Sequence, residues 1–243
     1  CLLLHLCLLL LLYRTIHGSS VGFIPDLEGK AFVFPLVTNL VFVKLKMDLQ
    51  KPLTSFTVCE RFQTEVVRPF ALFSYATKGD DNEFLLHTNK PNLLSVFMKQ
   101  GIVNFDISNT RPSSTCKDHL CFTWESKTGL AGLWWNGQPL PRKIIMKDLV
   151  VQGNASIILG QEQDSFGGQF DANQCFVGEI EDVYFWDRVL QPDEICRVWH
   201  NRVVPHPLID WRELYYETHG DVIVAPSNMC ACRSEKAWAP QRA

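Results

Sequence analysis

The stretch Val41-Phe42-Val43-Lys44-Leu45-Lys46-Met47 alternates apolar side chains with lysines. Successive side chains of a β-strand point to opposite faces, so this two-residue period predicts a strand with one buried face. Similar short apolar stretches follow, without helical periodicity between them, at residues 56–62, 71–75, 93–97 and 183–186. Asn136-Gly137 predicts a type I′ hairpin turn, because both residues accept positive φ angles. The sequence therefore predicts an all-β sandwich.

One segment departs from this pattern. Residues 192–200 read Pro-Asp-Glu-Ile-Cys-Arg-Val-Trp-His, and Ile195, Val198 and Trp199 recur at helical spacing. Proline suits the first turn of a helix, and acidic residues there complement the helix dipole. We predict one short helix near residues 192–201, lying on a sheet.

The start of the chain is typical of a secretory signal peptide. Residues 1–12 are almost wholly apolar, but this run is shorter than the ~20 residues that a membrane-spanning helix needs. Gly18 and Ser20 stand in the −3/−1 relation of a cleavage site. We expect residues 1–20 to be a signal peptide that is truncated at its start, and the protein to be secreted and extracellular, with no membrane span.

Export makes the cysteines candidates for disulfides. Seven of the nine cysteines lie beyond residue 20, an odd number, so at least one thiol is free or pairs with another chain. The spacing fits no zinc motif. Asn154-Ala155-Ser156 is an N-glycosylation sequon, which predicts a glycan at Asn154. The net charge of −3 comes without any basic stripe, which argues against specific binding of nucleic acid.

Oxygen ligands are concentrated in residues 159–174, directly after the apolar stretch at residues 156–159. The candidate ligands there are the carboxylates of Glu162, Asp164 and Asp171 and the amides of Gln163, Asn173 and Gln174. Hard oxygen donors without competing His or Cys suit Ca²⁺. An acidic, solvated loop would show the same composition, so both interpretations stay open at this point.

The octapeptide His119-Leu120-Cys121-Phe122-Thr123-Trp124-Glu125-Ser126 matches the pentraxin signature, His-x-Cys-x-Ser/Thr-Trp-x-Ser/Thr, at every specified position. Segments 30–35, 56–59, 158–170 and 210–211 also look like this family, so the chain resembles the short pentraxins from about residue 30 to residue 225. The resemblance implies a jelly-roll sandwich of two antiparallel sheets, lectin-like, with one short helix. We expect a pentraxin domain over residues 21–226 and an irregular C-terminal tail over residues 227–243.

The same resemblance implies specific bonds and ligands. The family carries a disulfide whose positions fall on Cys59 and Cys121. It also binds two adjacent Ca²⁺ ions per subunit, and the matching ligand positions are Asp81, Asn82, Glu162, the main-chain carbonyl of Gln163, Asp164, Asp171 and Gln174. Glu162 and Asp164 would bridge the two ions, and the four carboxylates would balance their charge.

The function implied by the resemblance is calcium-dependent pattern recognition by a homo-oligomer, usually a pentameric ring. Its ligands would be phosphate-bearing or anionic groups on microbial or damaged-cell surfaces, and complement components are possible partners. Beside the ions, the family's phosphocholine-binding members carry a Phe and a Glu, and counting without gaps puts His87 and Ile102 at those positions. Ile102 cannot pair with a quaternary ammonium, which disfavours phosphocholine. We interpret His87 as a plain surface histidine.

Three alternatives remain at this stage. One is a calcium-dependent carbohydrate-binding protein without an immune role. Another is a glycoside hydrolase of related sandwich fold, since Glu162 and Asp164 resemble part of Glu-x-Asp-x-x-Glu, but Gly167 stands where the third acid is required. The last is a purely structural sandwich without metal. We expect a non-enzymatic protein.

Overall fold

The computed structural model describes residues 26–47, 49, 51–110 and 117–228. The predicted signal peptide and most of the predicted tail lie outside these residues. Within the part of the chain that is described, no helix is long and apolar enough to cross a membrane.

Two antiparallel sheets hold the strands of the described residues. In chain order these strands are β1 (Lys30–Phe34), β2 (Phe42–Leu45), β3 (Ser55–Gln63), β4 (Phe70–Ala76), β5 (Phe84–Lys90), β6 (Leu93–Met98), β7 (Gly101–Asp106), β8 (Asp118–Glu125), β9 (Leu130–Trp135), β10 (Gln138–Pro139), β11 (Lys143–Ile144), β12 (Ser156–Leu159), β13 (Gly178–Trp186), β14 (Tyr216–His219) and β15 (Ile223–Pro226). The first sheet has the order β10-β9-β8-β3-β13-β1-β15, with β11 also paired to β9. The second sheet has the order β14-β2-β12-β4-β5-β6-β7. The predicted two-sheet sandwich is confirmed.

Alternation along the strands explains how the two sheets share one core. In β3, Phe56, Val58 and Phe62 point between the sheets and are buried there. The stretch at residues 41–47 also alternates between buried and less buried side chains, up to Leu45, where β2 ends. Met47 lies beyond the end of β2 but still packs against the core.

The remaining side chains of β3 face away from this core, and the predicted disulfide forms there. Cys59 pairs directly with Cys121 of β8, and their sulfurs are bonded. The bridge spans 62 residues of sequence, a loop for which the chain-entropy model gives about 4 kcal/mol of stabilisation. Of the other described cysteines, Cys175 and Cys196 are free. Cys116, Cys230 and Cys232 lie outside the described residues.

The predicted helix lies over this disulfide, on the outer face of the first sheet. Helix α1 (Pro192–Trp199) begins at Pro192 as predicted and is stabilised by a capping box between Gln191 and Glu194. Ile195 and Val198 pack with both half-cystines in a small second core. The outer face of the second sheet is therefore on the opposite side of the sandwich from the helix.

Candidate metal centre

The outer face of the second sheet carries the candidate site, beneath a loop that we call the site loop (residues 160–177). The loop leaves β12 at Gly160, whose φ of +85° is readily adopted only by glycine, and it ends at β13. A Cβ atom at Gly160 would lie 2.5 Å from the ring of Phe34. Backbone freedom and close packing thus both require glycine at the start of the loop.

Gln163 fastens the site loop to the sheet. Its buried Nε2 donates to the carbonyl oxygens of Ser74 and Ser156, at 3.1 Å each, and to Ser74 Oγ at 3.0 Å. Its Oε1 accepts a hydrogen bond from the Gly167 N–H at 2.9 Å. The sequence suggested either the amide oxygen or the main-chain carbonyl of Gln163 as a calcium ligand. The structure adds a side-chain role, which is to hold the neighbouring acids in position.

Four carboxylates meet above this face, and we call Asp81, Glu162, Asp164 and Asp171 the acid cluster. Burial, followed by repulsion from Asp164, Asp81 and Asp171, raises the pKa of Glu162 to about 7. Burial and the charges of Asp81 and Asp171 also raise the pKa of Asp164. Residues from two distant stretches of sequence are therefore close enough to perturb one another, as a shared cation site requires.

The turn between β4 and β5 presents Asp81 and Asn82 to the cluster. The Asn82 N–H donates to Asp80 Oδ1 at 3.0 Å, and the Asn82 carbonyl accepts from the Lys99 N–H at 2.6 Å, so the backbone is fixed. Asn82 Oδ1 is buried, yet it has no hydrogen-bond partner among the described residues. A buried acceptor without a donor is unfavourable, and a bound cation would satisfy it.

The far end of the site loop positions Asp171 and Gln174. Asp171 Oδ1 accepts hydrogen bonds from the main-chain and side-chain N–H groups of Asn173, both at 2.9 Å. The Gln174 carbonyl accepts from the Ala71 N–H of β4 at 3.0 Å. All seven predicted ligand positions thus lie on the site loop or on the adjacent β4–β5 turn.

This donor set fits Ca²⁺, which accepts six to eight oxygen ligands at flexible geometry. Within the described chain, no three donor atoms from the acid cluster and the histidines lie within 4.8 Å of one another. The carboxylate oxygens of the acid cluster would therefore have to move closer together to share one ion. The trio that does meet this distance is Cys59, His119 and Cys121, but its two sulfurs are bonded to each other. It is therefore not a metal site.

His87 and Ile102 lie on the same outer face but in different surroundings. His87 of β5 is only 3% exposed, so its interpretation as a plain surface histidine is wrong. Its Nε2 lies 3.7 Å from Glu162 Oε2. Burial lowers the pKa of His87, and the neighbouring side chains of Asn89 and Gln174 oppose that shift. Ile102 of β7 is 53% exposed.

Phe97 lies between these two residues and was missed in the sequence analysis. It pairs with Ile102 across β6 and β7, and its ring meets the His87 ring edge-on at 6.1 Å. The alternation in β6, which turns Ser95 and Phe97 away from the core, was the signal that could have identified it. Phe97 and Ile102 form an apolar wall beside the acid cluster.

The predicted glycosylation site lies near the start of β12. Asn154 is exposed on a turn with a φ of +54°, and its N–H donates to the Leu49 carbonyl at 2.9 Å. The asparagine side chain is thus on the surface, where a glycan can be attached.

The sandwich and its acid-lined loop define the class of this protein, and comparison with known proteins gives the family. A model described as the Pentaxin family (a variant spelling of pentraxin) matches residues 30–226. The chain belongs to the pentraxin family. Pentraxins are non-enzymatic, so the glycosidase alternative is not supported.

Curated relatives match most of the chain. Rat C-reactive protein is 45% identical over 220 residues, covering 90% of this chain and 93% of its own. Human serum amyloid P-component is 41% identical over 201 residues, which cover 83% of this chain and 89% of the length of that protein. Bovine mucosal pentraxin is also 41% identical, with coverage of 83% and 89%. The chain is thus related to C-reactive protein and serum amyloid P-component.

Among solved structures, a heptameric serum amyloid P-like pentraxin from Limulus polyphemus superposes with a TM-score of 0.71. The two chains are 24% identical, and the superposition covers 85% of this chain and 99% of the Limulus chain. The structural similarity therefore shows the fold. The homologues of this chain include oligomeric pentraxins.

Proposed function

We propose that this chain is a secreted recognition protein that binds phosphate-bearing or other anionic ligands on microbial or damaged-cell surfaces through two Ca²⁺ ions. The observation that carries the proposal is the acid cluster, in which burial and, after it, repulsion from the neighbouring carboxylates raise the pKa of Glu162 to about 7. The orphaned Asn82 Oδ1 at its edge supports the same conclusion.

The ions would be held by the seven predicted residues. Bound Ca²⁺ supplies coordination positions that accept phosphate or carboxylate oxygens of a ligand. Glu162 and Asp164 would each be a ligand of both ions and would so hold the two ions together. Gln163 keeps these two acids in place through its hydrogen bonds to Ser74 and Ser156.

The apolar wall would select among anionic ligands. Phe97 and Ile102 offer an aromatic ring and a branched aliphatic side chain, and Ile102 brings no charge that could pair with a quaternary ammonium group. We therefore expect ligands with an apolar group next to the anionic one to be preferred over phosphocholine.

Assembly would increase binding to surfaces. A pentameric ring presents several identical sites at once, and this multivalency converts weak single contacts into strong overall binding. Secretion after removal of residues 1–20, a domain over residues 21–226 and a glycan at Asn154 complete the proposal. Complement components are candidate partners of such a ring.

Calorimetric titration with Ca²⁺ followed by a glycan and phospholipid array tests this function. We expect heat on calcium addition, retention of anionic ligands and their elution by chelator. Asp164→Asn should weaken both binding events, whereas Asp193→Asn, a change at an exposed acid on helix α1, should affect neither. Absence of calcium heat in the intact protein would refute the proposal and favour a structural sandwich. Retention of neutral glycans alone would favour the lectin-like alternative.

A further inference from the structure

His87 is a buried imidazole, and the part of the chain that the structure describes gives its ring nitrogens no hydrogen-bond partner. Both ring nitrogens have almost no contact with solvent, and neither has a partner among the described residues. The side chains of Asn89 and Gln174 lie beside the ring, but neither makes a well-formed hydrogen bond with it. A buried polar group in this state is rare in folded proteins and calls for an explanation.

The polar neighbours of His87 are engaged with one another. Asn89 Nδ2 donates to Ser95 Oγ at 2.9 Å, and Ser95 Oγ donates to Asn104 Oδ1 at 2.6 Å. Ser95 is the direct cross-strand neighbour of His87, yet its hydroxyl is directed toward β7. The nearest ionisable group facing the ring is the Glu162 carboxylate, with 3.7 Å between Nε2 and Oε2.

This separation suits two ligands of a single metal ion. Two donor atoms held about 2.1 Å from a zinc ion at a tetrahedral angle are about 3.4 Å apart. Glu162 and Gln174, which both lie beside the ring, are among the proposed calcium ligands. A neutral imidazole is a poor ligand for Ca²⁺ but a favoured one for Zn²⁺.

We propose that His87 provides a nitrogen ligand to the metal position at Glu162, and that this position therefore accepts Zn²⁺ in competition with Ca²⁺. The inference rests on the proposed function, because it requires the metal centre to exist. It goes further by making the metal content of the site, and with it ligand binding, sensitive to zinc.

The test uses the full secreted protein and three variants. His87→Phe removes the nitrogens but keeps a ring of similar size, and His87→Asn covers the case in which Phe disturbs folding. His206→Asn is the matched control, since His206 is an exposed histidine in the loop after helix α1. Circular dichroism and the urea unfolding midpoint of each variant report an intact fold.

In the unaltered protein we expect one equivalent of Zn²⁺ to compete with Ca²⁺ and to show imidazole scattering in zinc X-ray absorption. The His87 variants should lose that scattering and bind Zn²⁺ at least about 10-fold more weakly, because loss of a direct ligand costs no less than loss of an outer-shell partner. His206→Asn should change neither result.

Two negative outcomes have different meanings. If Ca²⁺ binds but Zn²⁺ does not compete, or if the imidazole signal survives in both His87 variants, His87 is not a ligand and the calcium function still stands. If the unaltered protein shows no calcium heat, the proposed function fails, and this inference fails with it.

Discussion

Glu60 lies directly opposite Leu120 in the pairing of β3 with β8, and its carboxylate has no hydrogen-bond partner among the described residues. The side chain is 0% exposed, and it follows the alternation of Val58 and Phe62, which places it in the apolar core. Burial raises the pKa of Glu60 to about 8. The folded protein therefore holds a proton on Glu60 at neutral pH.

This raised pKa gives a pH-dependent penalty in stability. The unfolded chain releases the proton near pH 4.5, and the folded protein releases it near pH 8, so stability falls as pH rises between these values. We expect Glu60→Leu to stabilise the fold by a few kcal/mol at pH 8, on the order of the burial cost, and by much less at pH 4. Denaturant unfolding at several pH values measures the difference.

The matched control for this change is Glu65→Leu, because Glu65 is exposed just beyond β3. It should leave the pH profile unchanged. Equal stability of the Glu60→Leu variant and the unaltered protein at pH 8 would show that the carboxylate finds solvent or a partner in solution.

Gln163 should be important to both stability and metal binding. Gln163→Ala removes hydrogen bonds to Ser74, Ser156 and Gly167 and leaves their polar atoms buried, which costs on the order of 2–4 kcal/mol. We expect a lower unfolding midpoint in urea and weaker calcium binding. Gln63→Ala, at the exposed end of β3, should change neither measurement.

Calcium binding should weaken as the pH falls. Glu162 must lose its proton to bind a metal, and burial with three neighbouring carboxylates sets its pKa at about 7. At pH 6 only about a tenth of the sites carry an ionised Glu162, so the calcium Kd should rise about tenfold relative to pH 8. Calorimetry at the two pH values checks this, and an unchanged Kd would place Glu162 outside the metal site.

Removal of calcium should expose the site loop to protease. The acid cluster repels itself by on the order of 1 kcal/mol per close pair even in water, so the loop over residues 161–174 should open in chelator. We expect limited proteolysis to cut this loop faster in chelator than in calcium, with fragment masses locating the cuts. Equal rates in both conditions would contradict this expectation.

The fold could be predicted from the sequence because its signals are local. The alternation of Val43, Leu45 and Met47 with Lys44 and Lys46 indicates which face of a strand is buried, and Pro192 marks the start of the helix. Asp81 and Asp164, in contrast, come together from distant parts of the sequence, so no local pattern predicts that they are neighbours. The residues alone did not pair these two segments, and only the family resemblance connected them.

Other features of the site depend on side-chain contacts that no pattern encodes. Gln163 looked like one more oxygen donor, yet its amide is directed into the sheet. His87 looked exposed because it is polar, but the site loop covers it. Phe97 was visible as an apolar residue on β6, although its role depends on Ile102 of the next strand.

The site loop and helix α1 occupy opposite outer surfaces of one sandwich. A subunit that settles with its loop against a membrane or cell wall must then turn its helix toward the surrounding fluid. If all copies in a ring share that orientation, the assembly becomes a two-sided disc, with attachment on one side and a repeated helical surface displayed on the other.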